Sequence, residues 1–231
     1  MMKFKSAWFL YGYFFMAIIH LVSLIFQDQF FSAVSKIMLM PFLAFYVYDE
    51  CRAELKNAGV LLIGIFFSWL GDILLIKSQN EMFFIFGIAT FLCAHIAYIV
   101  SFRTLRYIYS SVSSKSIYGV FFLFYSISML YFIYPNLNEL KFPVIIYSLV
   151  ISIMGIAALM RKGATLKKSF RYVLSGAILF IISDSFIAIN RFYQPFNFAS
   201  ILIMVTYIIA QYLIIAGCVI HLQQSAYEET L

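Results

Sequence analysis

Residues 68–76 read SWLGDILLI and place a single carboxylate, Asp72, inside a run of residues that otherwise favour a hydrocarbon environment. A second stretch, FIISDSFIAI at residues 180–189, does the same with Asp184. An ionisable side chain at membrane depth is energetically expensive unless it is paired or loses its charge. These two acids therefore mark positions where a specific structural or functional role is expected.

Apolar residues dominate the rest of the chain. Of its 231 residues, 64% are hydrophobic and only 11% are charged, a balance outside the range of soluble domains. Runs of about 20 apolar residues, long enough to cross a ~30 Å hydrocarbon core as helices, can be placed eight times. The prediction is an all-α polytopic membrane bundle that forms a single domain over residues 1–231. Its eight windows are 7–26, 31–48, 58–76, 83–102, 117–134, 142–160, 171–190 and 197–220.

Basic residues are distributed unevenly over the predicted loops. Twelve lysines and arginines fall on the side of the N-terminus, whereas three fall opposite: Lys77, Lys141 and Arg191. Because positively charged loops remain in the cytoplasm, both termini are predicted to be cytoplasmic. This topology accounts for the formal net charge of +6 and gives no reason to expect a nucleic-acid partner.

Four ionisable side chains on four different predicted spans share one depth. Counting about 1.5 Å per residue puts Asp72 and Asp184 roughly 6–9 Å below the non-cytoplasmic surface, with His20 and Lys36 in the same layer. One lysine can neutralise one carboxylate, which leaves the other protonated in a low-dielectric site. An ionised and a protonated carboxyl group together form an acid/base pair. The alternative is a buried ion pair that only holds helices together.

One helical face of the fourth predicted span carries a histidine and a tyrosine. Gly87, Phe91, His95 and Tyr98 recur at the spacing of one helical face, with His95 near the middle of the bilayer. A histidine at that depth is more often a hydrogen-bonded partner within a bundle than a proton-transfer group. Other polar residues either line a cavity or hold helices together: Tyr147, Ser148, Ser152, Tyr207 and Gln211.

Residue spacing does not favour metal, thiol or serine chemistry. The three histidines, His20, His95 and His221, form no HxxxH pair, and no GxSxG motif is present. The three cysteines show no CxxC spacing and are expected to be buried, inert thiols. No metal and no cofactor are therefore expected.

Several longer segments resemble a known membrane family. GDILLI, FGIATFLCAHIAYI and GAILFIISDSFIAINRF, with a lysine in the second span and a late YIIAQYLI, resemble the YhhN family of eight-span membrane proteins, whose characterised members are lysoplasmalogenases. The resemblance covers nearly the whole chain in order. It departs at one place, because relatives often carry a proline directly behind the second-span lysine. Here Ile37 follows Lys36, and the proline is Pro41.

The resemblance implies a hydrolase that cleaves the vinyl-ether bond of lysoplasmalogens to a fatty aldehyde and a glycerophosphoethanolamine or glycerophosphocholine. The scissile bond lies just beneath the headgroup, at about the depth counted for the two carboxylates. We therefore expect Asp72 and Asp184 to be the catalytic pair, and the sequence does not decide which is the acid. Substrate-binding or pair-tuning roles are expected for five further residues, with Lys36 either tuning the pair or meeting the substrate phosphate: Lys36, His95, Tyr98, Asn190 and His20.

Two other functions also fit buried acids. One is a proton- or cation-coupled transporter, and the other is a lipid-binding bundle without catalysis. The modest length and the lack of matched Gly- or Pro-interrupted spans disfavour a transporter. The expected partners are a lysophospholipid substrate and the lipid bilayer, and the expected location is a bacterial inner membrane.

Overall fold

A computed structural model describes residues 3–107 and 119–229 of the chain. Within these ranges the regular structure is helical, without strands. Each α-helix coincides with one predicted apolar window, so the all-α fold class is confirmed. The helices are α1 (Lys3–Ile25), α2 (Gln29–Glu50), α3 (Leu55–Leu75), α4 (Glu81–Thr104), α5 (Val120–Ile133), α6 (Lys141–Leu159), α7 (Lys167–Ala188) and α8 (Ala199–Glu229). Lys115 and residues 117–118 of the fifth window lie outside the described residues.

Seven helical segments of the described ranges are long and apolar enough to cross a membrane. The exception is α5, which continues through the 3₁₀ turn Tyr134–Asn136 but stays shorter than the other spans. A helix needs about 20 residues to cross a typical hydrocarbon core. The chain is thus a multi-pass membrane protein, and its described part supplies seven candidate spans where the sequence predicts eight.

Helical backbone continues past the predicted end of the seventh span. The window ends at residue 190, whereas α7 passes into a π-helical segment, Ile189–Tyr193. The Phe196 amide donates a hydrogen bond to Asn190 Oδ1 at 3.3 Å, which fixes the connection towards α8. π-Helical turns are rare and frequently occur at functional sites.

The chain forms two compact units. Unit 1 comprises Met1–Ser101 and Cys218–Leu231, and unit 2 comprises Phe102–Gly217. The division falls within α4 and within α8. Each unit is described by itself below.

Small residues let α3 and α4 interlock in unit 1. A Cβ on Gly64 would lie 2.6 Å from the Tyr98 ring, and one on Gly71 would lie 2.6 Å from the Phe91 ring. The two contacts occur in opposite order along the two helices, as antiparallel packing requires. The four residues that the sequence places on one face of the fourth span are all buried: Gly87, Phe91, His95 and Tyr98.

A buried arginine organises unit 2. Arg161, directly after α6, is fully buried and donates hydrogen bonds to the carbonyl oxygens of Phe102 and Leu105. It also donates to Ser169 Oγ at 2.9 Å, and Ser169 Oγ donates in turn to the Gly217 carbonyl at 2.6 Å. Arg161 directly follows the sixth predicted span, so the sequence predicts a basic loop residue at the membrane surface. In the structure, Arg161 instead donates to carbonyl groups at the end of α4, which have no hydrogen-bond donor within that helix.

The cysteines differ in exposure. Cys51 and Cys218 are buried, as expected, whereas the expectation is wrong for Cys93, which is exposed. Burial is the largest cause that raises the pKa of the Cys51 thiol to about 12. Cys51 therefore remains a protonated thiol at neutral pH.

Gly176 lets α7 pack directly against the backbone of α8 in unit 2. A Cβ there would lie 2.8 Å from the Ile214 backbone nitrogen and 2.9 Å from the Ala210 carbonyl oxygen. Because both are backbone atoms, the helices themselves would have to separate. We expect Gly176→Ala to lower the free energy of unfolding in detergent by about 1–3 kcal/mol. Gly59→Ala is the matched control, since a Cβ on Gly59 meets nothing within 4 Å. Equal losses in both variants would contradict this packing account.

Candidate active site

Lys36 and Asp72 form an ion pair in unit 1, with the carboxylate buried and the lysine partly exposed. Lys36 Nζ of α2 lies 3.6 Å from Asp72 Oδ1 of α3, and the two side chains are 15% and 2% exposed. The lysine thus neutralises one buried carboxylate, as the charge count of the sequence predicts. Removing Lys36 would leave the Asp72 charge buried and uncompensated.

A hydrogen bond next to this pair fixes α2 against α3. Pro41 lies inside α2 and has no N–H, so the Ile37 carbonyl one turn earlier loses its helical donor. The Trp69 indole of α3 supplies the missing donor, with Nε1 2.9 Å from the Ile37 oxygen. Lys36 precedes Ile37, and Asp72 follows Trp69 by three residues. The same contact therefore sets the register in which the lysine meets the carboxylate.

Hydroxyl groups from three helices accompany Asp72. Ser68, one turn earlier on α3, lies with its Oγ 3.4 Å from the Tyr98 Oη of α4. Tyr13 of α1 is fully buried and interacts electrostatically with both Asp72 and Tyr98. The sequence does not single out Tyr13, because Tyr11 lies in the same apolar run and only the rotation of α1 distinguishes the two tyrosines. The structure leaves Tyr11 67% exposed and Tyr13 0% exposed.

His20 of α1 packs against the start of α2. Its Nδ1 lies 3.0 Å from the Ser32 carbonyl oxygen and 3.2 Å from Ser35 Oγ. Ser35 directly precedes Lys36, so His20 and the ion pair are held by one stretch of α2. The structure thus brings together two residues that the sequence analysis grouped by depth alone.

His95 lies on α4, three residues before Tyr98, and is fully buried. This burial agrees with the expectation of a histidine inside the bundle. Within the described ranges, no three side chains of histidine, cysteine, aspartate or glutamate converge as a metal ion would require.

Asp184 belongs to unit 2 and has different surroundings. The Tyr147 hydroxyl of α6 donates a hydrogen bond to Asp184 Oδ2 at 2.6 Å. The neighbouring Ser185 Oγ accepts a hydrogen bond from the Tyr125 hydroxyl of α5 at 2.9 Å. Asp184 is partly exposed, whereas Asp72 is buried. Tyr147 is thereby a direct partner of the carboxylate, and the pairing of Asp72 with Asp184 stays a prediction.

The family follows from comparison with known proteins. Residues 31–218 match the model of the YhhN family. The chain belongs to the YhhN family. This YhhN chain is similar to a Bos taurus protein named lysoplasmalogenase TMEM86A, with 32% identity over 167 residues, which are 71% of this chain and 66% of that protein. It is also similar to a Mycobacterium bovis protein named lysoplasmalogenase, with 29% identity over 159 residues, which are 68% of this chain and 59% of that protein.

The aligned segments thus span about two thirds or less of these relatives. No solved structure matches the chain. The YhhN match includes Lys36, Asp72 and Asp184, whereas α1 with His20 and Tyr13 precedes it.

The contact between Trp69 and Ile37 predicts a non-additive effect on stability. Trp69→Phe removes the indole donor and leaves the Ile37 carbonyl unsatisfied, which we expect to cost about 1–3 kcal/mol. In a Pro41→Ala background, the restored backbone N–H can bond the Ile37 oxygen within the helix. Trp69→Phe should then cost at least about 1 kcal/mol less in a double-mutant cycle measured by unfolding in detergent. Equal costs in both backgrounds would rule out the proposed compensation.

The ion pair predicts a second rescue. Lys36→Met leaves the Asp72 carboxylate without its cation, so we expect a loss of about 3–5 kcal/mol in unfolding free energy. Lys36→Met combined with Asp72→Asn removes both charges and should recover most of that loss. The same unfolding assay measures both variants. A double variant no more stable than Lys36→Met would show that packing, and not charge, accounts for the loss.

Proposed function

We propose that this YhhN protein is a membrane hydrolase of the lysoplasmalogenase type. It cleaves the vinyl-ether bond of an alkenyl-glycerophosphoethanolamine or alkenyl-glycerophosphocholine to a fatty aldehyde and the glycerophospho-alcohol. The observation that carries the proposal is the Lys36–Asp72 ion pair, in a chain whose relatives bear the name lysoplasmalogenase. No metal or redox cofactor is needed for this chemistry.

A vinyl ether hydrolyses through proton transfer to carbon. An acid protonates the β-carbon of the alkenyl chain, and the ether oxygen stabilises the resulting cation as an oxocarbenium ion. Water adds to that cation and loses a proton to a base, which gives a hemiacetal. The hemiacetal transfers its hydroxyl proton to the glycerol oxygen and breaks the C–O bond to release aldehyde and alcohol. The reaction therefore needs one proton donor and one carboxylate, as in glycoside hydrolysis.

Asp72 is assigned to the carboxylate role. The Lys36 ammonium 3.6 Å away supports an ionised Asp72, since opposite charges stabilise each other in a poorly solvated site. An ionised carboxylate can stabilise the oxocarbenium ion and accept the proton of the attacking water. Ser68 and Tyr98 provide nearby hydroxyl groups for orienting that water.

The proton donor in this proposal is Asp184, the second member of the pair that the sequence predicts. The hydrogen bond from Tyr147 occupies Oδ2, so a proton on this carboxyl group would lie on Oδ1. Tyr147 would then fix the orientation of the acid. Each carboxylate is tested separately below.

The finer topology is also part of the proposal. We place α5 across the membrane as an eighth span, with both termini in the cytoplasm of a bacterial inner membrane. The support is the excess of basic residues, twelve against three, on the side of the N-terminus.

Aldehyde release from a purified, detergent-solubilised sample tests the function. We expect the wild type to release aldehyde from an alkenyl lysophospholipid and not from the saturated alkyl-ether analogue. Asp72→Asn and Asp184→Asn should each lower the rate about 10²- to 10⁴-fold, because each removes one acid/base group. Thermal unfolding checks that both variants are folded.

Asp49→Asn is the matched control. Asp49 lies near the end of α2 in an ion pair with Arg52, at 3.0 Å, and this variant should retain the wild-type rate. No aldehyde from folded wild-type protein would exclude the proposed reaction. Proton-linked solute uptake in sealed vesicles would then favour a transporter. A normal rate in Asp184→Asn would remove Asp184 alone from the mechanism.

A further inference from the structure

The hydrogen bonds of His20 determine which ring nitrogen carries the hydrogen. The Ser32 carbonyl oxygen can only accept, so the 3.0 Å contact requires a hydrogen on His20 Nδ1. The Ser35 hydroxyl donates to the Phe31 carbonyl at 2.5 Å, and its oxygen is therefore an acceptor for the same Nδ1–H. In the neutral ring this leaves Nε2 with a lone pair and no hydrogen.

Nε2 of His20 is a buried acceptor without a hydrogen-bond partner among the described residues. His20 itself is 2% exposed. A buried polar atom left unsatisfied costs free energy, so such an atom in a native fold calls for an explanation. The ammonium of Lys36 interacts electrostatically with the His20 ring.

The Lys36 ammonium is a hydrogen-bond donor, which complements the acceptor Nε2 of His20. Lys36 Nζ lies 3.6 Å from Asp72 Oδ1, beyond the usual length of about 2.7–3.2 Å for an N–H···O hydrogen bond. The ammonium is thus paired in charge while its N–H groups remain able to donate. His20 contacts Ser32 and Ser35 of α2, and Lys36 directly follows Ser35, so one acceptor and one donor belong to the same stretch of α2.

A hydroxyl group is the ligand that matches both. Its O–H donates to a lone pair, and its oxygen accepts from an ammonium. A phosphate oxygen could accept from Lys36 but, as an anion, has no hydrogen for Nε2. The glycerol of an alkenyl lysophospholipid carries one free hydroxyl, on the carbon next to the one that bears the vinyl ether.

We propose that His20 Nε2 and Lys36 Nζ bind the free glycerol hydroxyl of the lysophospholipid and so place the neighbouring vinyl ether at Asp72. This inference rests on the proposed function and adds a residue of α1 to the binding site. It predicts a preference for lipids with one chain, because an acyl group on that hydroxyl would remove the hydrogen that Nε2 needs.

The experiment compares two substrates and three proteins. One substrate is the alkenyl lysophospholipid, and the other is its deoxy analogue with CH₂ in place of the central CHOH. His20→Asn keeps an amide N–H in place of Nδ1–H but has no atom at the position of Nε2. His20→Gln is the matched variant, because its amide oxygen can reach the Nε2 position. Aldehyde release is measured as kcat/KM for each combination.

We expect the wild type to prefer the hydroxyl substrate about tenfold, the value of one hydrogen bond. In His20→Asn the ratio of the two kcat/KM values should fall to near one, whereas His20→Gln should keep a preference. Aldehyde release from the deoxy analogue shows that a variant is folded.

A ratio that is unchanged in His20→Asn would overturn the inference. So would a wild type that uses both substrates equally, which is the result expected if water fills the same position. Both results leave the proposed function intact, because aldehyde is still formed. A folded wild type that releases no aldehyde from either substrate overturns the proposed function, and this inference with it.

Discussion

A carboxylate buried among apolar helices must be paired with a positive charge or lose its own charge, and in unit 1 the Asp72 carboxylate is paired with Lys36. Asp72 is 2% exposed, and its cation comes from a different helix, so α2 and α3 have to pack in one register. Desolvating two charges is expensive unless their geometry is held. The hydrogen bond from Trp69 to the Ile37 carbonyl fixes this geometry. Ile37 is adjacent to Lys36, and Trp69 lies three residues before Asp72.

The proline in α2 is part of the same arrangement. A proline inside a membrane helix removes one hydrogen bond, and the freed carbonyl must find a donor within the protein because lipid offers none. Here the donor comes from the neighbouring helix, so the defect becomes a contact between α2 and α3. The position of Pro41, four residues after Ile37, thus determines where α3 has to place an indole.

The sequence predicted the helices well because bilayer thickness dictates how long an apolar run must be. It predicted that Lys36 would neutralise a carboxylate because depth can be counted along a span. It missed Tyr13, and the partners of His20, because those depend on the rotation of α1 about its own axis. It also gave no sign of the π-helical end of α7, which arises where α7 joins its connection to α8.

Pro41 carries a signal about the contact between α2 and α3. The presence of Pro41 in a helix already predicts that the Ile37 carbonyl lacks its backbone hydrogen bond. A side chain of a neighbouring span must then donate to that carbonyl. Trp69 is such a donor and sits one turn from the acid that most needs explanation. The donor could have been proposed in advance, but its geometry could not.

The ion pair also limits what Lys36 can recognise. An ammonium whose charge is already balanced by Asp72 gains little from a second anion, because that anion would leave the group with excess negative charge. The N–H groups still donate, so a neutral acceptor is the ligand they suit. Lys36 is thereby better matched to an alcohol than to the substrate phosphate considered for it from the sequence. In the reaction that we propose, Lys36 therefore binds the glycerol portion of the lipid, next to the vinyl ether, and the charged headgroup is recognised by residues outside this pair.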